Sequence, residues 1–250
     1  VIEGVTLTEE TTYEDIVTTT AQSREGIQFQ VTPRVTTESF GDRILSRDII
    51  PFMRQRNIEM ITTRMKPRTR FYVYFDNIDV TQFVTPKLIE INMNRGVFTT
   101  GETVTGTITG TNRRFVFRLA SPNHKSGPYN SPTKTLELNP YIGGAGIPAS
   151  YSTSTTLLNV DTFSLATQTQ GDFFGNVRNG MKLVGNSSGA EATVSDVRLI
   201  SDSLGQLTAC FNIPNPNIDA NPRFETGTKT VRLTTSPTNS RLAGTITGLS

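Results

Sequence analysis

Gly180-Met181-Lys182-Leu183-Val184-Gly185-Asn186-Ser187-Ser188-Gly189-Ala190-Glu191-Ala192-Thr193-Val194 is the stretch that decides the fold class of this chain. Glycines set its turns, the segments between them are short enough only for strands, and nothing in it supplies acid–base or nucleophilic chemistry. Phe211-Asn212-Ile213-Pro214 and Phe224-Glu225-Thr226-Gly227-Thr228-Lys229-Thr230-Val231-Arg232-Leu233-Thr234 carry the same texture toward the C-terminus. Together they read as a part made to be assembled.

The composition agrees. Forty of the 250 residues are threonine, a β-branched residue that loses χ1 freedom in a helix but packs well on a pleated surface. A chain of this length holds one or two cores, and the usual domain size favours two. The formal charge is +2, from 24 basic and 22 acidic residues, which is neither a nucleic-acid footprint nor a polyanionic tail. One cysteine, Cys210, excludes an intramolecular disulfide and a cysteine-based zinc cluster. No apolar run is long enough for a membrane helix, and the first residues lack the pattern of an export signal. The start at Val1 without an initiator methionine suggests a segment of a longer polypeptide.

Periodicity along the chain predicts an all-β, mainly β fold: a small antiparallel β-sandwich or barrel domain, a second glycine-rich β domain inserted in it, and an extended N-terminal arm. Residues 1–40 form the arm, whose single alternating run is Ile27-Gln28-Phe29-Gln30-Val31. Residues 41–95 and 206–250 form the outer domain, and 96–205 the inserted one. Asp42 to Ile50 is the one fair helix candidate, stopped by Pro51. In the outer domain Phe71, Val73 and Phe75 share a strand face, and Leu207, Ala209, Phe211 and Ile213 alternate likewise. Strands near 54–92 and 206–235 are therefore expected to pair in one sheet across more than a hundred intervening residues. Val97 to Ile108 echoes Val177 to Gly185 through a shared spacing of glycines, explained equally by hairpins that need glycine at positive φ. Ser121–Pro132 and Asn139–Pro148, broken by prolines and glycines, read as loops of the kind that carry contacts.

Candidate chemistry is sparse. His124 is the only histidine and reads as a loop residue beside Lys125 that caps a turn or meets a neighbour. Neither Gly106 nor Gly185 is followed by Lys and then Ser or Thr, so a phosphate loop is excluded. Asp76 with Asp79, and Glu9 with Glu10, read as turn and arm residues rather than a hydrolytic pair. The most unusual charge feature is Arg54, Arg56, Arg64, Lys66, Arg68 and Arg70, spaced mostly by two, which a strand would present on one face. These six are the candidate subunit contact, toward an acidic neighbour or a host polyanion; the alternative is a solvated face whose arginine stems cover apolar surface. No catalytic, metal or cofactor site is expected.

Six segments carry a family resemblance: Phe52–Ile58, Lys66–Val80, Phe98–Gly106, and the three stretches quoted first, Gly180–Val194, Phe211–Pro214 and Phe224–Thr234. From about Arg54 to Ser240 the chain resembles structural proteins of tailed-phage virions, especially tail-fibre and baseplate components of T4-like phages that infect cyanobacteria. The resemblance implies a non-enzymatic, β-rich building block located in the virion tail. Its implied partners are other copies of itself and other tail proteins, with no membrane or nucleic acid and no cofactor. A receptor-binding tip that recognises host surface polysaccharide is the alternative. That role would want clustered exposed aromatics, and aromatic residues are only 8% of the chain with no tryptophan.

Overall fold

In a computed structural model, residues 51–168 and 171–242 are described in full and residues 247–249 as backbone. The expected arm at 1–40, its strand at Ile27–Val31 and the helix candidate at Asp42–Ile50 lie outside the described residues. The remainder is all-β, built from antiparallel sheets.

The chain begins with β1 (Arg56–Thr62), β2 (Arg70–Phe75), β3 (Ile78–Asp79), a 3-10 turn at Thr81–Phe83, β4 (Val84–Pro86) and β5 (Leu88–Arg95). Then come β6 (Thr103–Thr107), β7 (Arg114–Arg118), β8 (His124–Ser126), β9 (Lys134–Thr135), β10 (Leu157–Asn159) and a short helix, α1 (Thr162–Thr167). A second 3-10 turn at Gly171–Phe173 leads to β11 (Lys182–Gly185), β12 (Glu191–Asp196), β13 (Leu199–Ile200), β14 (Leu207–Ile213), β15 (Val231–Thr234) and β16 (Thr247–Leu249).

Six strands form one sheet in the order β10-β5-β12-β11-β6-β7. The sheet curls until its edges meet, with a bridge between Leu119 and Val160. There Ala120 N donates to Asn159 O and Asp161 N to Arg118 O, each at 2.9 Å. Curling brings alternate side chains inward, and Ile89, Ile91, Phe115, Phe117, Leu158 and Leu183 are all essentially buried there. Each such side chain contributes roughly 1.5–3 kcal/mol by leaving water.

The hairpin that opened the sequence analysis is β11–β12, its turn closed by Gly185 N to Ala190 O and Gly189 N to Gly185 O. The two echoing segments are neighbours in this sheet, β6 against β11, with Gly106 opposite Leu183 and Val104 opposite Gly185. Gly101 and Gly180 do have positive φ, but the echoed Gly106 and Gly185 are strand residues whose need is space. A Cβ on Gly106 would stand 2.4 Å from Met181 Sδ, and one on Gly185 2.7 Å from Glu102 Oε2. Crowding between strands, as well as turn geometry, explains the repeated spacing.

Two further sheets join chain segments far apart. β1, β14 and β4 form one, and β13, β2, β15 and β16 the other, with β3 beside β2. Phe71–Phe75 does find a partner in the last third: Val73 lies opposite Leu233 and Phe75 opposite Val231. Arg56–Thr62 pairs along its whole length with Ile213–Leu207. The distant pairing is thus present, but it is divided between two sheets and not held in the one sheet expected. Phe71, Val73, Phe83, Phe211 and Phe224 fill the core between them, and the Phe224 ring meets Phe75 edge-on at 4.7 Å.

Sheet membership changes at Lys87, since β4 belongs with β14 and β5 with the curled sheet, and changes back before β13. Buried side chains stitch the two layers. Asn57 Nδ2 donates to the carbonyls of Leu165 and Phe173, and Thr85 Oγ1 accepts from Val177 N. Two local readings change. α1 stands inside the glycine-punctuated region, started by Asp161, whose Oδ1 accepts from Ser164 N, and anchored by buried Leu165. The proline-rich loop after Ser121 contains a small ladder, β8–β9.

Candidate functional site

Lys87 stands where the chain crosses from one layer to the other. Its N–H donates to Thr208 O and its carbonyl accepts from Val160 N at 2.7 Å, so the backbone is held from both sides. The side chain is consequently committed to the interior, and the residue is 6% exposed. Nζ donates to Val160 O at 3.1 Å and makes no other hydrogen bond or ion pair among the described residues. An ammonium has three donors, and burying one with a single neutral acceptor is unfavourable. Burial lowers its pKa to about 8, against the opposing pull of Asp161 and Glu59.

Those carboxylates arrive from different elements. Glu59 is on β1, and its Oε1 accepts from Thr162 Oγ1 at 2.6 Å. Asp161 caps α1 with one oxygen and accepts Arg118 Nε and Nη2 with the other, at 2.9 and 2.6 Å. The Arg118 guanidinium in turn lies 3.9 Å from the centre of the Tyr129 ring, a cation–π contact that fixes both side chains.

His124 on β8 is 5% exposed. Its Nε2 sits 2.9 Å from Gly127 O; a carbonyl only accepts, so Nε2 carries the hydrogen. Nδ1 is buried without a hydrogen-bond partner. Burial first, then the positive charge of Lys87, hold the imidazole below its usual pKa, so the ring is neutral with an unmatched lone pair at Nδ1. Two other unpartnered buried atoms lie close by: Ser121 Oγ in the same turn, and Oδ1 of Asn159 at the end of β10, whose Nδ2 holds the carbonyls of Pro122 and His124.

Lys87, Glu59, Arg118, His124, Tyr129 and Asp161 surround a cavity of about 660 Å³ between the β1–β14 layer and the curled sheet, within the usual range for a small-ligand site. Lys125, paired at 2.7 Å with Asp202, and exposed Lys134 complete its charged wall. Lys134 has no carboxylate partner among the described residues. Ile61 and Phe163, 67% and 68% exposed, stand at the rim. Among the described residues no group of three His, Cys, Asp or Glu side chains could hold a metal ion, and no helix is long and apolar enough to cross a membrane. Cys210 is buried, and desolvation pushes its thiol up to about 12.

The six cations singled out from the sequence are placed elsewhere, and not on one strand. Arg54 precedes β1 and Arg56 begins it; Arg64, Lys66 and Arg68 occupy the link to β2; Arg70 begins β2. The link turns sharply, with positive φ at Arg64 and Arg68. Seven-residue β1 therefore separates Arg54 and Arg56 from the other four by roughly 20 Å of strand. All six are exposed. Arg70 lies over the Tyr72 ring, and none of the six meets a carboxylate among the described residues.

His124 and its loop were the part of the cavity visible in the sequence. Lys87, Glu59, Arg118 and Asp161 were not, because nothing local to any of them signals that they converge. No family model, curated protein or solved structure matches this chain.

Proposed function

We propose that this chain is a structural subunit of a tailed-phage virion, of the baseplate, fibre-attachment or fibre type, acting through contacts with copies of itself and with other tail proteins. One observation supports the contact role above others: every lysine and arginine from Arg54 to Arg70 is exposed without a carboxylate partner among the described residues. Elsewhere Arg95, Arg118, Lys125, Arg198 and Lys229 all meet one. Unpaired arginines suit an acidic neighbouring surface, which they engage with planar, multiply donating heads. Exposed Ile58 on β1, an edge strand, adds apolar area beside them. A stable contact needs about 1,200–2,000 Å² in total, more than the row provides alone.

The test is charge reversal at Arg54 and Arg56, and separately at Arg64 and Lys66, followed by particle assembly and measurement of copy number in intact tails. Loss of the chain from otherwise intact particles is the expected result. The cavity supports a second reading, receptor recognition. Normal tails with a normal copy number of the altered chain and lost adsorption to host cells would replace the first reading with the second.

A further inference from the structure

We infer that the cavity between the β1–β14 layer and the curled sheet is a binding site for an acidic saccharide, one sugar carboxylate with a neighbouring hydroxyl. The inference stands on the cavity's own chemistry and holds whether or not the chain is a virion subunit.

The charge of the site selects the anion. Lys87, Arg118, Lys125 and Lys134 face or flank the space, against Glu59 and Asp161 within it and Asp202 behind Lys125. Arg118 is committed to Asp161, and Lys125 to Asp202. What remains is Glu59 against Lys87 and Lys134, a surplus of one positive charge. A carboxylate balances it, whereas a doubly charged phosphate would overshoot beside two carboxylates already present.

Donors and acceptors then select the rest of the ligand. Lys87 has two N–H groups not engaged by Val160 O, aimed from a buried stem and suited to an anionic oxygen. Glu59 offers the opposite, a carboxylate whose Oε1 takes Thr162 Oγ1 and whose other oxygen meets no donor among the described residues. A bare carboxylate answers only the lysine. A carboxylate on a ring that also carries hydroxyls answers both, and His124 lies on the same wall, its buried Nδ1 without a donor. The apolar face of a sugar ring has Tyr129 and exposed Phe163 to lie against. With Ile61 and Phe163 at an open rim, the site admits a unit within a longer polymer.

Binding of trigalacturonate, galactose, acetate and inorganic phosphate to the 250-residue chain, by calorimetry and by chemical-shift change of the His124 ring, tests this. Trigalacturonate is expected to bind at least tenfold more tightly than each of the other three and to shift the His124 resonances. Lys87→Met should weaken it tenfold or more. Lys134→Glu, at an exposed position that leaves folding alone, should weaken it several-fold and reduce its dependence on salt. Equal binding of galactose would overturn the anion assignment; equal binding of acetate or phosphate would overturn the saccharide. Trigalacturonate binding that neither variant changes would place it outside this cavity and refute the site.

Discussion

Two buried charges in this molecule are treated in opposite ways. Glu102, in the curled sheet, is 5% exposed, and its two oxygens accept from Thr99 N, Ser187 N, Ser188 N and Ser188 Oγ at 2.6–3.1 Å. Four donors surround it and hold the β11–β12 turn against β6. Lys87, equally buried, has one carbonyl. A saturated buried charge rigidifies its surroundings, whereas an unsaturated one is a standing destabilisation that persists where something outside the fold makes use of it. The comparison sets a saturated buried carboxylate beside an unsaturated buried ammonium.

The largest effect expected from breaking this contrast is at Glu102. Glu102→Ala removes a buried carboxylate together with its charge-assisted bonds from the N–H groups of Thr99, Ser187 and Ser188, and should lower unfolding free energy by about 3 kcal/mol, read from urea melts. A loss under about 1 kcal/mol would erase the distinction between the two sites. Gly185→Ala sharpens it, since the new methyl would press on Ser188 Oγ and Glu102 Oε2 at 2.4 and 2.7 Å. A loss of about 2 kcal/mol is expected, with the turn around Ser187 losing amide protection first.

At Lys87 the sign reverses. Its folded pKa of about 8 lies below the ordinary 10.5, so between those values the unfolded chain holds a proton that the folded chain has released, and stability rises with pH. Glu59 and Asp161 face the same ammonium, as does His124, whose imidazole burial holds below its usual pKa, outside this window. Cys210, pushed up to about 12, works the other way as an unfolded thiol ionises around pH 9, and it offsets part of the rise in parent and variant alike. From pH 8 to 9 the gain contributed by Lys87 should be about 1 kcal/mol. It should vanish in Lys87→Met, which at pH 7 should be no less stable than the parent within about 1 kcal/mol. A fall in stability over that interval would show that Lys87 is not a strained charge. The smallest effect is at Lys134, where Lys134→Glu should change stability by less than about 0.5 kcal/mol.

What the sequence disclosed follows from the range over which each signal acts. Alternation in Phe71–Phe75 and Leu207–Ile213 is written in consecutive residues, and the distant pairing of those segments could be inferred from it. The glycines of the β11–β12 hairpin were equally local. Leu88–Arg95 was grouped with the outer strands, yet it pairs with β10 and β12; its alternation shows that it is a strand and not which sheet it joins. Nothing in Thr85-Pro86-Lys87 itself marks Lys87 for burial. Only the meeting of β1, β8, α1 and the β4–β5 link removes Lys87 from water, and no window of sequence contains that meeting. The six cations were noticed because they are adjacent in sequence, and the turn at Arg64 and Arg68 removes the shared face that their spacing suggested.

The pairing of Thr62 with Leu207, 145 positions apart, has a consequence for biosynthesis. At ~5–20 residues per second a ribosome needs roughly 7–30 s to make that interval. During this time β1 and β2 have left the ribosome with Phe71, Val73 and Phe75 uncovered, while residues 88–196 can complete the curled sheet from their own strands. The last-made third of the chain therefore closes over the first-made strands. A nascent chain arrested before β14 presents an unpaired apolar strand to whatever holdase or sister chain is nearest.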